Sequence, residues 1–192
     1  VAGKNGVQYY ASWNNGISEM QGDNLTIKYT YENTGGALDT TYYSQNRIRI
    51  SDLKFDYNGN LWGLSSEVNH PLFVKTPDNN WFSFSMNQDR VALFFDDLII
   101  DQNNQKWGLI GRGGGVFVYN DNSTIENPLD DQYKILTTNT GYGNLPSSWV
   151  YSIAEDLNGE IWIGSDKGIS VFYNPAAVFS VYNFDAKQIP LE

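Results

Sequence analysis

An all-β chain assembled from repeated four-stranded units is the fold class predicted by three observations. First, three stretches superimpose: ISDLKFDYNGNLWGLS (Ile50–Ser65), FDDLIIDQNNQKWGLI (Phe95–Ile110) and VYSIAEDLNGEIWIGS (Val150–Ser165). They share an aspartate (Asp56, Asp101, Asp156), an asparagine two places on (Asn58, Asn103, Asn158) and a tryptophan six places after the aspartate (Trp62, Trp107, Trp162). Second, those tryptophans stand 45 and 55 residues apart, and self-similarity at such a period marks a repeat architecture. Third, thirteen Tyr, ten Phe and six Trp beside eighteen Gly in 192 residues suit short strands joined by tight turns. No 3.6-residue period runs beyond about two helical turns.

In chain order, two strand-like runs, Gly6–Ser12 and Leu25–Asn33, flank a polar loop. GVQYYAS at Gly6 is similar to GVFVYND at Gly115 and GISVFYN at Gly168. The opening therefore reads as the outer half of a unit. Glu32–Gly36 (ENTGG) parallels Thr138–Gly143 (TNTGYG), and each leads into a tryptophan unit. The first full unit holds Ile50–Asp56, Leu61–Ser65, Pro71–Thr76 and Trp81–Met86. Its Asn58-Gly59 favours a two-residue hairpin with positive φ at both centres. The second unit holds Phe95–Asp101, Lys106–Ile110, Gly114–Asn120 and Tyr133–Thr138. The third holds Val150–Asp156, Glu160–Gly164, Gly168–Tyr173 and Val178–Phe184, with Pro175 and two alanines forming at most a short helical turn.

Four-stranded units of about 45 residues with one tryptophan each are the signature of propeller blades. The expected fold is a partial β-propeller of about three and a half blades in a single domain: residues 1–35 as the outer half of a blade, then 47–86, 92–138 and 148–184. Complete propellers carry roughly four to eight blades. The chain is accordingly expected to be a piece of a longer protein, with Leu191 and Glu192 as candidate foreign residues. Its partners are expected to be the remaining blades of the parent chain, or a second copy, through exposed blade faces.

Twelve basic residues against 22 acidic ones leave a net charge of −10. That argues against nucleic acid as partner, since phosphate binding needs clustered Lys and Arg. No apolar run approaches the roughly 20 residues of a membrane helix, so no membrane insertion is expected. The absence of cysteine excludes disulfides, zinc thiolates and thiol nucleophiles.

Val150–Tyr173 resembles the two-component regulator propeller repeat of Bacteroidetes, whose blades read roughly S-I-x-E-D-x-x-G-x-I-W-x-G-T-x-x-G-I. Ser152, Ile153, Glu155, Asp156, Gly159, Ile161, Trp162, Gly164, Gly168 and Ile169 fall on it, with Ser165 in place of Thr. Asn139-Thr-Gly and Asn144-Leu-Pro are similar to the loop preceding that motif. Together with Asp101–Trp107, this blade resembles the C-terminal part of PorZ-type propellers, surface proteins associated with the type IX secretion system. The resemblance implies a non-catalytic binding and scaffold module of the bacterial cell envelope, in the periplasm or at the outer-membrane surface, with a glycan or lipopolysaccharide as candidate ligand. The alternative it implies is the periplasmic sensor of a hybrid two-component regulator that binds carbohydrate. A propeller glycosidase or lyase comes third. The first two units depart from the repeat, reading Trp62-Gly-Leu and Trp107-Gly-Leu.

The repeated Asp and Asn suit oxygen ligation of Ca²⁺. Their recurrence in every unit favours a turn-shaping role through hydrogen bonds to turn amides. The repeated Trp reads as packing between blades rather than as a sugar platform. No cofactor or metal is expected. Gly111–Gly115 lacks the Gly-Lys-Ser/Thr ending of a phosphate loop. His70 is the only histidine, so His-based triads are excluded. Adjacent Asp96 and Asp97 point to opposite faces of a strand and make no acid/base pair. Two candidate ligand groups remain: a polar column of Asp52, Asp97 and Ser152 at equivalent places near the start of each inner strand, and an aromatic patch of Tyr142 and Trp149.

Overall fold

Short alternating segments, punctuated by Asn and Gly in the left-handed region, close the chain into antiparallel sheets. A computed structural model describes residues 1–86 and 94–189. The expected start of a blade at 92 and the pair Leu191–Glu192 lie outside the described residues. The chain divides into two compact units, Val1–Phe95 and Asp96–Glu192.

In the first unit, β1 (Val7–Ser12), β2 (Gly16–Gln21) and β3 (Asn24–Tyr29) form a three-stranded sheet. A four-stranded sheet follows in the order β4 (Ile50–Phe55), β5 (Leu61–Ser65), β6 (Leu72–Lys75), β7 (Trp81–Phe84). Ile17, Tyr29, Leu38, Leu53, Leu61 and Phe73 share one buried core.

The second unit contains β8 (Phe95–Ile100, whose first residue closes the first unit), β9 (Lys106–Ile110), β10 (Gly115–Asn120) and β11 (Gln132–Leu136), paired in the order β11-β10-β9-β8. β12 (Tyr142–Gly143) comes next, then β13 (Val150–Glu155), β14 (Ile161–Ser165) and β15 (Gly168–Phe172). β16 (Phe184–Asp185) pairs in parallel with β12, and β17 (Lys187–Ile189) completes a sheet in the order β13-β14-β15-β17. Trp107, Leu109, Val118, Ile161, Phe172 and Phe184 anchor its core. The chain is thus nearly all-β, built of four-stranded antiparallel sheets of the blade type.

Three strand expectations are corrected. Residues 13–24 are not simply a loop, because β2 lies within them. Gly16 explains it: φ is +74°, and a Cβ there would stand 2.2 Å from the Tyr29 carbonyl oxygen. Gly115 does the same against the Leu136 carbonyl, at 2.3 Å. The counterpart of the Gly115 and Gly168 runs is therefore Gly16-Ile-Ser, and not Gly6–Ser12. The run Gly6–Ser12 is instead a second strand. Gly3 N–H donates to the Val7 carbonyl at 2.7 Å, as Asp56 N–H does to Asn60 at 3.0 Å, Asp101 to Gln105 at 3.0 Å and Asp156 to Glu160 at 3.0 Å. Val1–Gly3 consequently takes the place of the end of an inner strand, Gly3 that of the aspartate, and Tyr9 that of the tryptophan.

The third correction concerns Val178–Phe184. Pro175–Ala177 forms a 3₁₀ turn, Val178 and Phe184 dive into the core, and Phe184 stacks on Phe172 at 4.8 Å. The fourth strand is Lys187–Ile189 instead, because only that segment lies extended beside Ile169–Val171.

Candidate functional site

The repeated aspartate is the hub of its own hairpin. Asp56 Oδ1 accepts from the backbone amides of Asn58 (3.0 Å) and Asn60 (2.8 Å), while Oδ2 accepts from Trp62 Nε1 (3.0 Å) and Asn60 Nδ2 (2.8 Å). Asp101 holds the Asn103 and Gln105 amides at 2.9 and 2.8 Å and Trp107 Nε1 at 3.0 Å. Asp156 holds the Asn158 and Glu160 amides at 2.9 and 3.0 Å and Trp162 Nε1 at 3.0 Å. Each carboxylate thus ties the hairpin to the indole six residues on. Its oxygens are occupied by N–H donors, which leaves them poorly placed for Ca²⁺. Asn58, Asn103 and Asn158 contribute chiefly their backbone amides. The position four after the aspartate (Asn60, Gln105, Glu160) is a further member that sequence comparison passed over, since its side chain varies while its amide does not.

Environment separates these hubs electrostatically. Burial lifts the Asp101 carboxyl above the ordinary aspartate value, against the opposing pull of the Gln105 amide and Trp107 indole. At Asp156 the Glu160 amide, aided by the Trp162 indole and the Asn158 amide, outweighs desolvation and holds the carboxyl below its ordinary value.

The polar column is placed strand by strand. Asp52 lies at a bulge in β4 and forms an ion pair with Lys54 at 2.8 Å, while its Oδ1 accepts from the Leu53 amide. Asp97 in β8 likewise accepts from the Leu98 amide. Ser152 occupies the equivalent bulge in β13 and is exposed. In the aromatic pair, Tyr142 and Trp149 are each about half exposed. Tyr142 lies in β12 opposite Phe184, whereas Trp149 lies over Gly113, where a Cβ would come within 3.2 Å of its indole nitrogen. They sit on different features of the unit, and no ring contact joins them among the described residues. No group of three or more His, Asp or Glu gathers for a metal among the described residues.

One cluster had escaped notice in the sequence. Glu19 accepts from the hydroxyls of Tyr29 (2.6 Å), Thr26 (3.1 Å) and Tyr9. Lys75 Nζ stands 6.0 and 5.9 Å from the ring centroids of Tyr9 and Tyr29. Burial and the Glu19 charge push the Tyr9 hydroxyl up to about 12. Desolvation opposes ionisation of Glu19, yet the Tyr29, Tyr9 and Thr26 hydroxyls together hold its carboxyl low. Burial lowers Lys75, partly offset by Glu19. The signal that was available is the six-residue spacing from Gly3 to Tyr9, hidden because neither residue keeps the type found in the other repeats.

Comparison with known proteins agrees with this architecture. Residues 144–167 match the family described as two component regulator propeller. PorZ, described as an essential bacterial surface component of the type-IX secretion system of Porphyromonas gingivalis, superimposes with a TM-score of 0.73 at 29% identity, over 92% of this chain and 24% of that one. The extracellular domain of a protein described as a hybrid two component system from B. thetaiotaomicron gives a TM-score of 0.66 at 18% identity, over 99% of this chain and 22% of that one. Virginiamycin B lyase from Staphylococcus aureus matches at 0.63 and 13% identity, over 100% of this chain and 54% of that one, a likeness of fold alone. The chain spans about a quarter of the length of the first two structures. None of the curated proteins matches it.

Proposed function

We propose that this chain, whose residues 144–167 are a two component regulator propeller repeat, is a non-catalytic binding and scaffold module of a bacterial cell-envelope protein, a PorZ-like accessory of type IX secretion. The observation that carries this reading is the 29% identity to PorZ along 92% of the chain. The hubs support it, since the repeated carboxylates are held by hairpin amides and indoles rather than aimed as an acid/base pair. The periplasm or outer-membrane surface is the compartment that follows. Remaining blades or a second copy would cover the blade faces. Glycan or lipopolysaccharide would engage the exposed Tyr142 or Trp149 of the second unit, where Asp97 and Ser152 are candidate polar contacts; Asp52 is a separate candidate contact in the first unit.

The test is direct. Purified protein is expected to retain lipopolysaccharide or a glycan on an array, to lose that retention on Trp149→Ala, and to leave every glycan uncleaved. Glycan cleavage abolished by Asp97→Asn would overturn the non-catalytic reading in favour of a glycosidase or lyase.

The second reading, the carbohydrate-sensing domain of a hybrid two-component regulator, is favoured by the match over 99% of this chain to such an extracellular domain. The sequence of the natural parent polypeptide separates the two. A membrane span followed by a kinase module selects the sensor, and a β-rich sorting tail selects the surface component.

A further inference from the structure

In the first sheet, glycine and tyrosine stand where the aspartate and tryptophan close the first hairpin of each of the three full blades. Gly3 brings no carboxylate to the turn, and Tyr9 turns its hydroxyl to Glu19 instead of to the turn. A cavity of about 440 Å³ opens at that point, between the first sheet and the β4–β7 sheet of the same unit. Its volume falls within the range of small-molecule sites, roughly 300–1,000 Å³.

In the second unit the equivalent place is filled by the residue that follows the aspartate. There the Gln102 side chain packs over Gly159, with its amide nitrogen 1.6 Å from where a Cβ would be. The Gln102 backbone amide donates to Glu155 at 2.9 Å, and Trp107 packs on Phe172 at 5.6 Å. In the first unit Gly59 stands at the position of Gly159 and Phe55 at that of Glu155. The charged link is replaced by an edge-on contact between Phe55 and Tyr9, 5.8 Å between centroids.

We propose that this cleft is a binding site for a neutral sugar ring. Tyr9, Phe55 and the exposed Tyr57 supply apolar ring faces for the C–H face of a pyranose, and Lys75 and Thr76 supply polar groups for its hydroxyls. Asp56 also lines the cavity, but its oxygens are held by its own hairpin. Neutrality follows from charge. Among the described side chains Lys75 is the cation that lines the cleft, and it already faces Glu19, so it is not available to hold an acidic sugar; the net charge of −10 also repels one. The inference rests on reading the chain as a binding module, and places a second site apart from Tyr142 and Trp149.

Saturation-transfer NMR with glucose, galactose, mannose and glucuronate tests it on the whole chain. Saturable binding of at least one neutral hexose is expected, with glucuronate silent. Tyr57→Ala, at an exposed position, is expected to weaken binding about fivefold or more, the size of one lost aromatic contact. The paired change Gly3→Asp with Tyr9→Trp rebuilds the hub of the other repeats. It is expected to abolish binding while holding or raising the melting temperature. Binding that survives both variants, a preference for glucuronate, or no binding of any hexose overturns the site. If in that last case Trp149-dependent glycan retention persists, the site fails and the binding-module reading stands; if retention is also lost, both fail.

Discussion

A carboxylate that accepts two backbone amides and an indole within seven residues organises each full blade. Asp101 is the most enclosed example, with no exposed surface, and its loss strands the donors it now satisfies. Asp101→Ala is expected to cost about 3 kcal/mol in urea denaturation, since buried donors left unpaired cost about 1–3 kcal/mol each. Asp156→Ala should cost less, because water reaches its hairpin. The opposite pKa directions give a second check. Asp156 is held low, so its stabilisation is full above the ordinary aspartate value of about 3.9 and disappears as pH falls through its lower folded value. Asp101 is held high, so its charged form is a burden that is relieved as pH falls through its folded value toward 3.9. Acid titration followed by circular dichroism should therefore show a shallower loss of stability in Asp156→Asn and a steeper one in Asp101→Asn.

Within the blade, the departure of the first two units from the repeat has a cross-strand cause. Gly63 faces Phe73, Gly108 faces Phe117, and in the last blade Ile163 faces Ser170. A Cβ at Gly108 would lie 2.0 Å from the Phe117 ring, and one at Gly63 would lie 2.2 Å from Phe73. Large and small residues have exchanged strands while filling the same space. Gly108→Ile alone should overpack the sheet and cost about 3 kcal/mol or more. Phe117→Ser alone should cost about 3–5 kcal/mol by leaving a cavity. Combined, they should cost at least about 1 kcal/mol less than their sum, measured as a coupling energy by a double-mutant cycle.

Across the whole molecule, charge and repetition dominate. With 22 acidic against 12 basic residues, the protein should elute from heparin or duplex DNA columns without retention at about 0.15 M salt; retention there would reveal a basic surface the composition conceals. The blade repeat, its hairpins and most strands were legible in the sequence, because the contacts behind them are local. Aspartate, turn amides and indole all fall within seven residues, and that spacing survives in a one-dimensional reading. Less was legible of the candidate sites. Asp52, Asp97 and Ser152 could be aligned by position alone, but the Lys54 partner of Asp52 and the separate settings of Tyr142 and Trp149 emerge only from the fold.

The sequence by itself determined the all-β class, the repeat and the turn-shaping place of its aspartates, while the bond from each aspartate to its indole is seen in the fold. Tertiary structure alone decided three things: that Gly16 opens a strand, that the last blade ends on Lys187–Ile189, and that Gly3 leaves a cleft beside Phe55 and Lys75. The physical reason is distance along the chain. Gly16 is placed by Tyr29, β17 by β15 across a 3₁₀ turn, and the cleft by side chains up to 74 positions from Gly3 that only folding brings together.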